Sequence, residues 1–183
     1  MLFYVKKYLF LDILVTCSLA GFAIAGIRYY NLSPDFSVTP RILTYGIVAL
    51  VAVTGWTFLV QAGYALVKGK EYAEQLTASL AKEYASASLL QAVFGGIAAA
   101  FGEELFFRGF IQTRFGILAG TILFGLAHLG KKDIRVVSFW AYPQGLLFGI
   151  AYTLTGHVAV SMIAHGLFDI GGVLYFRRLM KRA

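Results

Sequence analysis

The sequence predicts an all-α fold, a polytopic membrane helix bundle with about six transmembrane helices. Two observations lead there. Of the 183 residues, 59% are hydrophobic and only 14% charged, with a mean hydropathy of +0.74, whereas a soluble domain is about 45–50% apolar and about 25% charged. The apolar residues also gather into runs close to the roughly 20 residues a helix needs to cross a hydrocarbon core of about 30 Å. Six such runs with short loops use up the chain, which gives one membrane domain over residues 1–183.

The first run, Tyr8–Ile27, follows Lys6 and Lys7. Asp12 within it, and the lack of a small-residue cleavage pattern, mark a retained span rather than a signal peptide. "NLSPDFSVTPR" holds Pro34 and Pro40 and reads as a loop. A second span covers Ile42–Val67. Next comes the polar "KGKEYAEQLTASLAKEYAS", with Tyr72, Leu76, Leu80 and Tyr84 at helical spacing. It reads equally as an interfacial helix or a solvated connector. Ser88–Phe110, a run from Phe115 to Leu129 or somewhat beyond, Val136–Leu154 and His157–Phe176 complete the set. Pro143 is expected to kink the fifth span. Gly96 with Ala100, Gly116 with Gly120 and Gly145 with Gly149 are small residues four apart, which let helix backbones approach closely.

Net charge is +7 and the pI about 9.6. In a soluble chain that balance suggests nucleic acid, but here the basic residues edge the apolar runs, as residues facing headgroups do, so a lipid bilayer and no nucleic acid is the expected partner. Lys6, Lys7, Lys68, Lys70, Lys82, Lys131, Lys132, Arg135, Arg177, Arg178, Lys181 and Arg182 fall on the side of the N-terminus, against Arg28, Arg41, Arg108 and Arg114 on the other. Twelve against four puts both termini in the cytoplasm. One cysteine, Cys17, excludes an intrachain disulfide.

The third span carries "FGEELFFRGF". A carboxylate at mid-bilayer costs at least about 2.5–3.5 kcal/mol, so Glu103 and Glu104 must face the bundle interior or a water-filled cavity. Glu104 and Arg108 stand four apart and can pair along the helix. Glu103 points about 100° away and stays available. The fourth span holds Phe124 and His128 in "FGLAH", and the sixth holds His165 and Asp169 in "HGLFD". His157 reads as a loop or interface residue. Singly, a membrane histidine or a His–Asp pair is as readily structural as functional. Together, an acidic pair, two histidines and an aspartate on three helices make a costly convergence with no structural need. No serine or cysteine is obviously paired with these histidines, and Gly-x-Ser-x-Gly and His-Glu-x-x-His are absent. A carboxylate with imidazoles is equipment for activating water.

"EELFFR", "FGLAH" and "HGLFD", in this order, resemble the three motifs of the CPBP (CAAX protease and bacteriocin-processing, or Abi) family of intramembrane proteases, related to type II CAAX prenyl endopeptidases. Those motifs are Glu-Glu-x-x-x-Arg, Phe-x-x-x-His and His-x-x-x-Asn/Asp. The resemblance covers residues 88–176 and makes that segment the expected catalytic core. It implies Glu103 as general base on water, aided by His128. Glu104 and Arg108 become supporting groups, and His165 with Asp169 line the oxyanion side. It favours a metal-free scheme, although Glu103, His128 and His165 are also the candidate ligands for zinc. Where the third motif can carry Asn, this chain has Asp169, which either stays protonated, orients His165 or binds a metal. The expected substrate is a peptide or membrane protein, cut by a bacterial-type enzyme of the cytoplasmic membrane. An inactive immunity or scaffold protein is the alternative from another class. A proton-relay or transporter subunit is the third, and no inverted repeats support it.

Overall fold

The computed structural model describes residues 2–71, 74–75, 77–78, 81, 87–129 and 135–182. The stripe of Tyr72, Leu76, Leu80 and Tyr84 lies outside them, as do Lys82, Lys131 and Lys132. Among the described residues the fold is all-α, and its named helices are α1 (Leu2–Tyr29), α2 (Pro40–Lys68), α3 (Leu89–Phe115), α4 (Ile117–Ala127), α5 (Arg135–Thr155) and α6 (Val158–Arg182). An isolated bridge between Asp35 and His157 ties the α1–α2 loop to the start of α6.

Local chemistry explains several boundaries. Thr39 caps α2 by accepting from the Ile42 N–H, and Pro40 takes the first helical position, where its missing N–H costs nothing. α3 opens on a capping box in which Ser88 Oγ accepts from the Gln91 N–H and Gln91 Oε1 accepts from the Ser88 N–H. Gly116, at φ 88°, turns the chain sharply between α3 and α4. It serves as a hinge of the backbone, and only its sequence partner Gly120 packs closely, where a Cβ would sit 3.1 Å from the Phe107 carbonyl.

Among the described residues, Pro40–Lys68, Leu89–Phe115 and Val158–Lys181 are long and apolar enough to cross a membrane, and the chain reads as an integral membrane protein. The expected fourth span is instead a helix of 11 residues, about 16 Å long at 1.5 Å per residue. That is roughly half a hydrocarbon core. α5 runs through Pro143 without interruption. The core gathers Ile42, Ala49 and Val53 of α2, Phe107 of α3, Phe124 of α4, Ala141 and Phe148 of α5, and Ala159, Val160 and Ala164 of α6. Small residues let α3 and α6 touch: a Cβ on Gly96 would meet the Ile170 side chain at 2.7 Å and the Gly166 carbonyl at 3.1 Å. In a lipid solvent this close packing, rather than apolar burial, holds helices together.

Candidate active site

α3 changes character where the site begins. It is α-helical over Leu89–Glu104 and π-helical over Leu105–Gln112. The wider turn carries hydrogen bonds five residues apart: the Thr113 backbone N–H donates to the Arg108 carbonyl, and the Thr113 hydroxyl donates to the same oxygen at 2.8 Å. Widened turns of this kind are frequent at functional sites.

Glu104 and Arg108 are fully buried and pair at 2.8 Å, Nη1 to Oε1. The second arm of the guanidinium, Nη2, donates to the Gly145 carbonyl of α5 at 2.7 Å. Its plane lies over the Phe124 ring, 4.6 Å from the centroid, with Phe148 at 5.5 Å. One step of four further along, Gln112 repeats the pattern, its Nε2 donating to the Gly149 carbonyl at 2.8 Å and to Thr153 Oγ1 at 2.9 Å. Gly145 and Gly149 make both contacts possible. A Cβ on Gly145 would sit 2.9 Å from Phe124, and one on Gly149 would sit 3.0 Å from the Gln112 side-chain oxygen. Arg108 therefore belongs to the buried cluster and carries no topological information.

The remaining polar groups form two pairs around Phe124. His165 lies on α6, its Nδ1 2.8 Å from Glu104 Oε1 and its Nε2 3.4 Å from Asp169 Oδ2. Phe148 stacks on its ring at 5.0 Å. His128, just past the end of α4, donates Nδ1–H to the Phe124 carbonyl at 2.7 Å. That bond fixes the proton on Nδ1 and turns Nε2 toward Glu103 Oε2, 3.8 Å away. The separation is too long for a hydrogen bond, and Glu103 Oε2 has no hydrogen-bond partner. α4 stops at Ala127, and the His128 ring at its end lies against Glu103.

Exposure divides the cluster. The side chains of Glu104, Arg108 and His165 are at most 6% exposed, against 20% for Glu103, 37% for His128 and 34% for Asp169. Every candidate residue read from the sequence thus meets in one place: Glu103, Glu104, Arg108, Phe124, His128, His165 and Asp169. Gln112 and Phe148 join them unforeseen. The four-residue step Glu104, Arg108, Gln112 was visible in the sequence. Phe148, one aromatic among many, had no such signal.

A three-ligand zinc site does not fit this donor set. Both nitrogens of His165 face carboxylate oxygens, Nδ1 at 2.8 Å and Nε2 at 3.4 Å, so a metal would first have to displace one of them. Among the described residues no three His, Cys, Asp or Glu side chains are grouped to hold one.

Residues 85–171 match the family model described as type II CAAX prenyl endopeptidase Rce1-like. This stretch is a domain of that family. The matched residues run from just before the start of α3 to beyond Asp169. Two relatives from Bacillus subtilis (strain 168) are similar: uncharacterized protein YpbD, 28% identical over 88 residues, and uncharacterized protein YyaK, 34% identical over 76. The matches take in 48% and 34% of this chain, and 47% and 25% of those proteins. The chain therefore spans about half the length of one relative and a quarter of the other. No solved structure matches.

Proposed function

We propose that the chain is an intramembrane endopeptidase that hydrolyses membrane-associated peptides or proteins with water activated by Glu103 and His128. Six helices carry it as a polytopic bundle in a bacterial cytoplasmic membrane, both termini cytoplasmic. Family membership supports peptide hydrolysis, and the bacterial relatives support that setting.

One observation carries the reading. Glu103 Oε2 and His128 Nε2 stand 3.8 Å apart, beyond hydrogen-bond distance, on side chains that are partly exposed beside the fully buried Glu104–Arg108 pair. Two acceptors so placed are bridged by a water donating one O–H to each, which leaves the oxygen lone pairs facing outward for attack. Glu103 takes one proton as the water adds to the scissile carbonyl and returns it to the departing amine. His128 Nε2 orients the water. The developing oxyanion meets His165 Nε2–H, whose contact to Asp169 is the longer of its two and exchanges for the substrate oxygen. Asp169 orients that ring. Glu104 and Arg108, closed off from solvent, hold the other edge of His165 and the α3–α5 seam. No step passes through a metal.

The test is cleavage of membrane peptides by purified enzyme in liposomes, compared with Glu103→Gln. Hydrolysis should vanish while expression and membrane insertion stay near those of the parent, because the neutral isostere removes the base and also a partly buried charge. Activity within about twofold of the parent would rule Glu103 out as the base, since removal of a general base typically costs about 10²–10⁴-fold.

A further inference from the structure

A second site lies away from the carboxylates, on the lipid-facing side of α1 and α3. A groove of about 670 Å³ runs between the last two turns of α1 and the π-helical stretch of α3, lined by Phe22, Ala25, Gly26, Tyr29, Phe106 and Phe110. Its volume is in the range of sites that hold small organic ligands, about 300–1,000 Å³. Gly26 lets the Phe110 ring seat directly on α1 to form the groove wall, since a Cβ there would collide with that ring. The walls are hydrocarbon. The mouth is not.

Tyr29 ends α1 and Arg114 sits in the final turn of α3, so the groove opens at the membrane face where both helices stop. There the Arg114 guanidinium lies 4.7 Å above the Tyr30 ring and 5.2 Å from that of Phe115. Tyr30 in turn stacks on Phe110, which lines the groove, with centroids 6.1 Å apart. Among the described residues no carboxylate pairs with Arg114. The ring contacts fix its plane and leave its N–H edge open, a geometry suited to two phosphate oxygens. Tyrosines at this depth are the usual companions of lipid headgroups.

We infer that this groove binds one anionic phospholipid, an acyl chain lying against Phe22, Phe106 and Phe110 and the phosphate seated on Arg114. Charge complementarity selects the occupant, because a neutral chain would fill the groove and leave the arginine unmatched. The inference needs only a chain embedded in a membrane, and stands or falls apart from peptide hydrolysis.

Native mass spectrometry of the purified protein decides it, with phosphatidylglycerol and phosphatidylcholine of the same chains supplied in equal amounts. One phosphatidylglycerol should be retained about fivefold more than phosphatidylcholine, as one arginine acting on an anionic lipid implies. Arg114→Gln should erase the preference, Arg114→Lys should keep most of it, and Ala25→Trp should expel both lipids by filling the groove. Equal retention of the two lipids by the unaltered protein would overturn the proposal, and that measurement needs no variant to fold. A lipid-free dimer, or an unchanged preference in Arg114→Gln, would overturn it too.

Discussion

Glu103 and Glu104 are neighbours with opposite situations. Glu104 is sealed from solvent and accepts from Arg108 and His165 through one oxygen, Oε1. The Glu103 side chain is one-fifth exposed and lies 3.8 Å from His128. The difference follows from the 100° rotation between adjacent helical residues, and it gives Glu104 the ion pair and Glu103 the place that the proposed hydrolysis needs. Arg108→Ala should therefore act on stability. It strands Glu104 in the interior and removes the link to the Gly145 carbonyl, and breaking a buried pair costs about 3–5 kcal/mol. Gln112→Leu should cost less, about 1 kcal/mol, because the Gly149 carbonyl keeps the Thr153 hydroxyl as a donor. Thermal unfolding in detergent should rank them, with Arg108→Ala far below Gln112→Leu. The reverse order would assign the α3–α5 seam to the amide.

At the scale of elements, the seam depends on two glycines one turn apart on α5. Gly145→Val should push Phe124 aside, since a Cβ already lies 2.9 Å from its ring. Phe124 supplies the carbonyl that orients His128, so activity should fall at least about tenfold while the helix itself tolerates valine. Gly55→Val serves as the control, because nothing lies within 4 Å of that position. Equal effects of the two substitutions on peptide cleavage would disconnect the seam from His128. The site residues were legible in the sequence because each is expensive in a membrane, and Glu103, Glu104, Arg108, His128, His165 and Asp169 had no cheaper place to be. The π-helical turn was not, and the length of α4 only in part: its apolar run breaks at Gly130-Lys131-Lys132, but nothing local marks Ala127 as the helix end. The extra residue of a π turn is set by what Arg108 and Gln112 reach on another helix, which local propensity does not encode. The glycine pairs signalled close approach, and only the structure distinguished Gly145 and Gly149, which admit side chains, from Gly116, which turns the backbone.

At the scale of the molecule, the α1–α2 loop is strapped to the start of the helix that bears His165 and Asp169. The Val158 N–H donates to the Asp35 carbonyl at 2.8 Å, and His157 Nδ1 lies 3.2 Å from both Asp35 Oδ2 and Ser37 Oγ. This fixes the axial position of α6 two turns before His165. The strap lies outside the spans and carries a titrating group. The Ser37 backbone N–H, donating to Asp35 Oδ1 at 2.7 Å, holds the Asp35 carboxyl below its ordinary value of 3.8, with smaller help from the Ser37 hydroxyl and the nearby His157. A carboxyl depressed in the folded state contributes stability that is present above its unfolded value, about 3.9, and is lost as pH falls through the folded one. Asp35→Asn should thus unfold at a lower temperature than the parent at pH 6, and the gap should narrow as the pH falls below about 3.9. Peptide cleavage should follow the same margin, because a loosened α6 start moves His165 and Asp169 together. A constant gap across that range would show that the strap is held by its backbone hydrogen bond and not by the carboxylate.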